Sequence, residues 1–255
     1  MRTRYDFTGK VVLVTGGTKG LGAGIARGFL EAGAEVIVCA RKEPPAPVRT
    51  WISGSAHPWR TARFVQADVR EEADAERLLE GLARLDVLVN NAGGSPYAPV
   101  AGTSPRLHRR IVELNLIAPL LLSQRAHPLL AAASGSIVMI GSTSGARPSP
   151  GTAAYGAAKA GLHHLAACLA AEWAPAVRVN TVVVGLAETE SVPEHYGGAE
   201  RVAAVAATVP AGRLARPEDV ADACLWLAGP GYVTGAELLV HGGGERPAWR
   251  TLADG

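Results

Sequence analysis

Val11-Val12-Leu13-Val14-Thr15-Gly16-Gly17-Thr18-Lys19-Gly20-Leu21-Gly22 is the stretch whose reading decides the fold. Its opening, 11–15, is a short apolar run, the length and composition of a strand buried on both faces. Residues 20–32 then place Leu21, Ile25, Ala26, Phe29 and Leu30 on one face of a helix. Glycines between a strand and a helix let the backbone turn sharply and approach a pyrophosphate, whose charge the helix N-terminus favours. A glycine pattern alone would fit an ordinary turn equally well. The strand before it and the helix after it make nucleotide binding the better reading.

The same alternation continues along the chain. Strands are expected at 36–40, 63–67, 86–90, 136–140, 177–184 and 237–241, and helices at 71–84, 105–131, 152–173 and 217–228. Pro119 and Pro128 are expected to bend or break the helix at 105–131. Apolar strands alternating with helices imply a parallel sheet covered on both faces. With no linker, low-complexity tract or internal repeat, the expectation is one α/β domain over 1–255: a Rossmann-like, doubly wound parallel sheet flanked by helices.

Composition bounds the partners. The chain has 255 residues, 48% of them hydrophobic, and a formal net charge of +2. Its basic residues are scattered, so neither nucleic acid nor a membrane surface is an expected partner. Cys39, Cys168 and Cys224 are far apart in apolar stretches, without the spacing of a disulfide framework or a metal knuckle. Cys39 reads as a core strand residue. The first residues lack a signal peptide's apolar core, and no apolar run approaches the roughly 18 residues of a membrane span. These features read as a cytoplasmic protein. The seven histidines form no metal site: His163 and His164 are adjacent and point different ways, and both read as packing or surface residues. Trp173 reads as an anchor under a helix end.

The spacing Thr15-Gly16-x-x-x-Gly20-x-Gly22 resembles the short-chain dehydrogenase/reductase family, and further motifs follow in the family's order over about residues 9–244. These are Asp68-Val69 after the third strand, Asn90-Asn91-Ala92-Gly93 after the fourth, Asn115 in mid-helix and Ser142 after the fifth strand. Then come Tyr155-x-x-x-Lys159, Arg178-x-Asn180, Gly185-x-x-x-Thr189, Pro217-Glu218-Asp219-Val220 and Val233-Thr234-Gly235. The resemblance implies a catalytic centre of Ser142, Tyr155, Lys159 and Asn115. It further implies cofactor contacts from Gly16, Thr18, Lys19, Gly20, Leu21, Gly22, Asp68, Val69, Asn90, Ala92, Gly93, Tyr155, Lys159 and Thr189. In the family the Asp meets the adenine amino group, the Lys holds the nicotinamide ribose, the Ser bonds the substrate oxygen, and the Asn holds a water linking the Lys to solvent. Thr189 would contact the nicotinamide carboxamide, or else simply cap a helix.

Arg41 ends the second strand, where an acidic residue would bind a ribose hydroxyl and Arg accommodates a 2′-phosphate. Lys19 adds a second cation where the family's NADP members often place one. Either alone would pass for a solvated surface residue, but together they favour NADP(H). Tyr155 and Lys159, four apart, project from one helix face. A phenol's pKa near 10 is high for acid–base work at neutral pH; a nearby ammonium and an oxidised nicotinamide both lower it.

The implied function is NADP(H)-dependent hydride transfer between nicotinamide and a ketone or secondary alcohol, in the sense of ketone reduction. The alternatives are a non-catalytic NADP-binding regulator on the same fold and a net epimerase or lyase. A homo-tetramer, or a dimer, packed through 105–131 and 152–173 is the family's assembly. Departures are Val184 where the family usually has Pro, and His241 where Asp is common. The segment 186–212 should shape the substrate pocket. The larger departure is 43–61, where Pro44, Pro45, Pro47, Pro58 and Gly54 oppose the usual helix. There the expectation is an irregular loop lacking internal backbone hydrogen bonds, anchored by Trp51 and Trp59 buried against the domain.

Overall fold

In the computed structural model, which describes residues 5–53, 58–190 and 197–245, seven strands form one sheet around β1 (Val11–Thr15). On one side of it lie β2 (Glu35–Ala40) and, beyond a short hairpin, β5 (Arg63–Gln66). On the other side lie β6 (Val87–Asn90), β7 (Ser136–Ser142), β8 (Arg178–Val184) and β9 (Glu237–Val240). The order β5-β2-β1-β6-β7-β8-β9 is parallel throughout. Chain order therefore reverses at β1/β6, and in such sheets the crevice beyond the carboxyl ends at that reversal holds ligands.

Each face of the sheet buries its own core. Val12, Val14, Val36 and Val38 face α1 (Gly20–Glu31) and α7 (Pro217–Ala228). Leu13, Ile37, Leu88, Ile137 and Met139 face α2 (Glu72–Leu79), α4 (Ala118–Ala132) and α5 (Ala153–Trp173). Because the central strands β1, β6, β7 and β8 meet helices on both faces, they read as largely continuous apolar runs. Cys39 and Cys224 are buried in these cores, and Trp173 packs against the second, its ring 4.6 Å from His127. The Arg178-x-Asn180 motif is structural. Arg178 donates to the carbonyls of Leu227, Ala228, Gly229 and Val233, capping α7, while Asn180 bonds Val233 and Ala236. Among the described residues no helix is long and apolar enough to cross a membrane.

Three elements differ from expectation. The helix at 71–84 stops at Leu79, because Gly81 takes a left-handed φ of 70°. The helix at 105–131 is neither broken nor sharply divided at its prolines. It runs as α3 (Pro105–Val112), one wide π turn (Glu113–Ile117) and α4, with Pro128 inside α4. Pro119 has no N–H for the Asn115 carbonyl in α register or the Leu114 carbonyl in π register, so the ladder loosens one turn before it.

The Pro-rich segment carries no helix among its described residues, but it is not irregular either. β3 (Arg49–Trp51) and β4 (Trp59–Thr61) pair antiparallel, and the Ile52 and Ala62 N–H groups extend the ladder to Pro58 and Val48. Alternation explains it: Val48 and Thr50 turn in toward α1, where Thr50 donates to Glu31, while Arg49 and Trp51 turn out. Trp51 and Trp59 are not buried, being 57% and 49% exposed. They shield each other as a cross-strand pair with rings 5.2 Å apart, and the Arg49 guanidinium lies 4.2 Å over Trp59. Gly54 lies outside the described residues.

The α1–α7 contact depends on glycine. A Cβ on Gly24 would sit 2.3 Å from Cβ of Pro217. Alanine improves a solvated helix by about 1 kcal/mol, but overpacking costs about 1–3 kcal/mol. Gly24→Ala is therefore expected to lower the urea midpoint. A midpoint at or above wild type would show that α1 and α7 can separate without loss.

Candidate active site

The carboxyl ends of the strands open onto a cleft of about 1120 Å³, larger than the roughly 300–1,000 Å³ typical of single-ligand pockets. Strand order arranges its lining. Arg41, Asp68 and Val69 follow β2 and β5 on one side; Gly16, Thr18, Lys19, Gly20, Leu21 and Gly22 follow β1 in the middle; Ala92 and Gly93 follow β6. Ser142, Tyr155, Lys159 and Thr189 belong to β7, α5 and the segment after β8. Residues from seven separate stretches of sequence thus meet at one crevice.

The glycine loop shows why its residues have no side chains. A Cβ on Gly22 would lie 2.3 Å from the Gly16 carbonyl, and one on Gly17 would lie 2.6 Å from Val38 Cγ1. Gly20 opens α1 with a left-handed φ of 51° and aims its N–H out of the helix end. That N–H donates to Glu190 Oε1 at 3.1 Å. Backbone donors, Glu190's own N–H first and that of Gly20 next, hold the Glu190 carboxyl below its usual range. The helix end therefore already attracts an anion in the free chain, as a dinucleotide pyrophosphate site requires. Lys19 and Arg41 are exposed on the same cleft, joined by Lys42.

Two cofactor-side residues stand differently from the sequence reading. Asn90 is turned into the core, where Nδ2 donates to Ser123 Oγ and Met139 Sδ, and it does not line the cleft. Its neighbour Asn91 does, donating to the Thr15 and Gly16 carbonyls, while Thr15 Oγ1 accepts from Asn91 and Ala92. Asp68 is held by Arg70, whose Nε donates to Oδ1 at 2.9 Å and whose Nη2 donates to Oδ2. The Arg70 guanidinium keeps the Asp68 carboxyl low. Arg70 thus adds a planar cation to the cleft, which no motif announced.

At the other end, Tyr155 and Lys159 project from α5, the Nζ 5.7 Å from the Tyr155 ring centroid. Lys159 is buried and donates to the Ile140 carbonyl at 2.8 Å; burial brings its pKa down to about 8. The Tyr155 pKa moves opposite to the expected direction. Burial raises it, and a hydrogen bond with Ser142 opposes that only in part. In the free chain the ammonium is aimed at Ile140 rather than at the phenol. Ser142 begins a 3-10 turn (Thr143–Gly145), its Oγ accepting from the Ser144 N–H.

Asn115, fully buried in the π turn, does not line the cleft. Its two amide hydrogens go to the Gly94 and Ile111 carbonyls, and its Oδ1 accepts from the Gly94 N–H. With both donors committed, this side chain locks the turn after β6 to the helix. A Cβ on Gly93 would come within 2.8 Å of Asn115 Oδ1 and 3.6 Å of Lys159 Nζ, so the three groups share one corner. The segment 186–212, expected to shape the substrate pocket, lines the cleft through Ala187, Thr189 and Glu190; it includes α6 (Ala199–Ala207), a helix the sequence reading missed, packed near Val209 and Leu214, and its residues 191–196 lie outside those described.

Residues 16–245 match the family model described as Enoyl-(Acyl carrier protein) reductase. The chain is 34% identical over 257 residues to the rhamnolipids biosynthesis 3-oxoacyl-[acyl-carrier-protein] reductase of Pseudomonas aeruginosa, covering 95% of this chain and 99% of that one. It is 37% identical to the cis-4-hydroxycyclohexanecarboxylate dehydrogenase of Sinomonas cyclohexanicum, covering 93% and 97%. Among solved structures, the Pseudomonas aeruginosa RhlG/NADP active-site complex superimposes with a TM-score of 0.81 at 31% identity, covering 95% and 99%.

Burying an ammonium costs stability that the site, not the fold, requires. Because the folded pKa of Lys159 lies near 8 and below its unfolded value, the folded state releases its proton first. The cost is full below about pH 8 and is relieved as pH rises toward the unfolded value. Lys159→Met is therefore expected to raise the melting temperature of the cofactor-free protein at pH 7, with a gain that shrinks between pH 8 and 10. A gain constant with pH would show that the lysine is not buried as a cation.

Proposed function

The chain belongs to the short-chain dehydrogenase/reductase family, and on that premise we propose how its residues divide the reduction of a ketone by NADPH. Bound NADPH supplies the hydride. Everything else is orientation, charge and proton transfer by the chain. The N–H groups opening α1 would hold the pyrophosphate, taking the place of the Glu190 carboxylate that the Gly20 N–H meets in the free chain. Arg41 and Lys19 would hold the adenosine 2′-phosphate, Arg as a planar fork and Lys as a point charge. Asp68 and Val69, with Arg70, would hold the adenine end, and Ala92, Gly93 and Thr189, on the same cleft, the nicotinamide end.

Ser142 and Tyr155 hold the substrate oxygen between two hydroxyls. Tyr155 donates its proton to that oxygen as negative charge develops, and Ser142 stabilises the same charge. The observation that carries this reading is the corner where Ser142, Tyr155 and Lys159 meet in one cleft, with the buried Lys159 Nζ 5.7 Å from the Tyr155 ring centroid; burial there raises the phenol and lowers the amine to about 8. A phenol kept protonated is the form that ketone reduction consumes. An amine titrating near 8 can release and recover a proton at working pH, and so restore the phenol. Asn115 acts through the backbone it pins, holding the Gly93–Gly94 turn against Lys159. The cytoplasm is the expected setting, and a homo-tetramer or dimer packed through α3, α4 and α5 the expected assembly, checked by light scattering.

NADPH oxidation followed by absorbance against a panel of cyclic ketones and 3-oxoacyl thioesters tests the reading. Tyr155→Phe is expected to lose roughly 10²-fold or more in kcat with NADPH binding intact; near-normal kcat in that variant would remove Tyr155 from its role.

Coenzyme choice is tested separately. Arg41→Asp is expected to weaken NADPH by about 1.5–3 kcal/mol, the worth of a charge-assisted contact, while NADH changes little. Equal losses for both coenzymes would place Arg41 away from the 2′-phosphate.

A further inference from the structure

His163 lies one turn beyond Lys159 on α5, its imidazole buried between β7 and the 3-10 turn after it. Two glycines make the space: a Cβ at Gly141 would lie 2.4 Å from His163 Nε2, and one at Gly145 would lie 3.0 Å from Cε1. Nε2 accepts the backbone N–H of Ser142 at 3.3 Å. On the ring's other side, Nδ1 lies 3.4 Å from Glu237 Oε2 on β9. An imidazole that accepts at Nε2 is neutral and carries its hydrogen on Nδ1. A carboxylate facing Nδ1 fixes that tautomer, as carboxylates fix histidines at metal sites. A chain therefore runs from the half-exposed Glu237, through the imidazole, to the main chain of the residue that presents its hydroxyl to the cleft.

We propose that His163, oriented by Glu237, is a positioning residue for Ser142: the neutral imidazole holds the Ser142 N–H and so aims the Ser142 hydroxyl at the substrate oxygen. This rests on the reading of Ser142 given above. A protonated His163 has an N–H on each nitrogen, so Nε2–H confronts Ser142 N–H and the bond is lost. The charged groups facing the ring are Glu237 from β9, which favours the proton, and Lys159 from α5, which opposes it; burial opposes it most. β7 and the 3-10 turn present Gly141, Ser142 and Gly145, and β8 presents Thr181, whose methyl lies 2.8 Å from the same Cβ position at Gly141. None of these carries a charge. The balance leaves His163 neutral at pH 7, with protonation below its ordinary value of 6.5.

The test is kcat against pH for ketone reduction by the full chain with saturating NADPH. Wild type should show an acid limb below pH 6.5. His163→Gln, whose amide oxygen reaches the Nε2 position and can accept the same N–H without titrating, should retain activity at pH 7 and lose that limb. His163→Phe, which fills the space but cannot accept, should fall roughly tenfold or more in kcat at every pH, with NADPH affinity unchanged. Glu237→Gln should move the limb to lower pH by removing the charge that favours protonation. An acid limb unchanged in His163→Gln, or none in wild type, overturns the proposal; so does wild-type kcat in His163→Phe. If His163→Phe does not fold, the pH profiles of wild type and His163→Gln decide. Ser142→Ala separates the two readings. Activity lost there but unaltered by His163 substitution refutes only the positioning role, whereas activity retained in Ser142→Ala refutes the reading of Ser142 and this inference with it.

Discussion

The glycine loop after β1, the start of α1 and the carboxyl end of β6 approach so closely that Gly22 has no room for a Cβ, and the rest of the site is built on that approach. A Cβ on Gly22 would meet the Gly16 carbonyl at 2.3 Å and Asn91 Nδ2 at 2.5 Å. The gap is closed instead by hydrogen bonds. Asn91 donates to the carbonyls of Thr15 and Gly16, and Thr15 Oγ1 takes the N–H groups of Asn91 and Ala92. Buried backbone groups at a strand end need such partners, because the ladder no longer supplies them. The clamp has a second effect. By holding the glycine loop against β6 it fixes where α1 starts and hence where its N–H groups point, at the place in the sheet where connection order reverses.

That constraint explains which parts of the molecule were legible in sequence. Glycines at 16, 17, 20 and 22 between a strand and a helix are themselves the imprint of close approach, so the fold could be read from them. The two-sided sheet was equally legible, since runs such as Val87-Leu88-Val89 are apolar on both faces. Asn90 and Asn91 were not separable. They are the same residue type side by side, and only strand direction decides that Asn90 faces Ser123 while Asn91 reaches the loop. The hairpin was misread because four prolines outweighed the alternation in Arg49-Thr50-Trp51 and Trp59-Arg60-Thr61. Proline excludes a helix more strongly than it excludes an edge hairpin. Mutual shielding of two tryptophans across a strand pair leaves no mark in either run alone.

That Ser142, Tyr155 and Lys159 would meet was legible in sequence, but the electrostatics of their corner were not. Tyr155 and Lys159 four apart suggest an ammonium beside a phenol. The structure sends the ammonium to the Ile140 carbonyl and lets burial govern both groups. Burial always favours the neutral form, so it raises an acid and lowers a base at once. One apolar corner therefore pushes two groups of ordinarily similar pKa apart, and the proposed division into donor and relay rests on that divergence together with their shared corner. The π turn belongs to the same corner. It places Asn115 where its amide can hold Gly94, and that holds the Gly93–Gly94 turn close against Lys159.

Ser142 is held from its far side as well. Its Oγ accepts from the Ser144 N–H, its own N–H is taken by His163, and Gly141 and Gly145 bracket the ring. A serine at the end of a strand would otherwise be a loop residue free to turn. Here three local devices restrict it: a capped 3-10 turn, a buried acceptor, and two glycines that admit that acceptor. Preorganisation of that kind lowers the reorganisation needed when charge develops on a substrate oxygen.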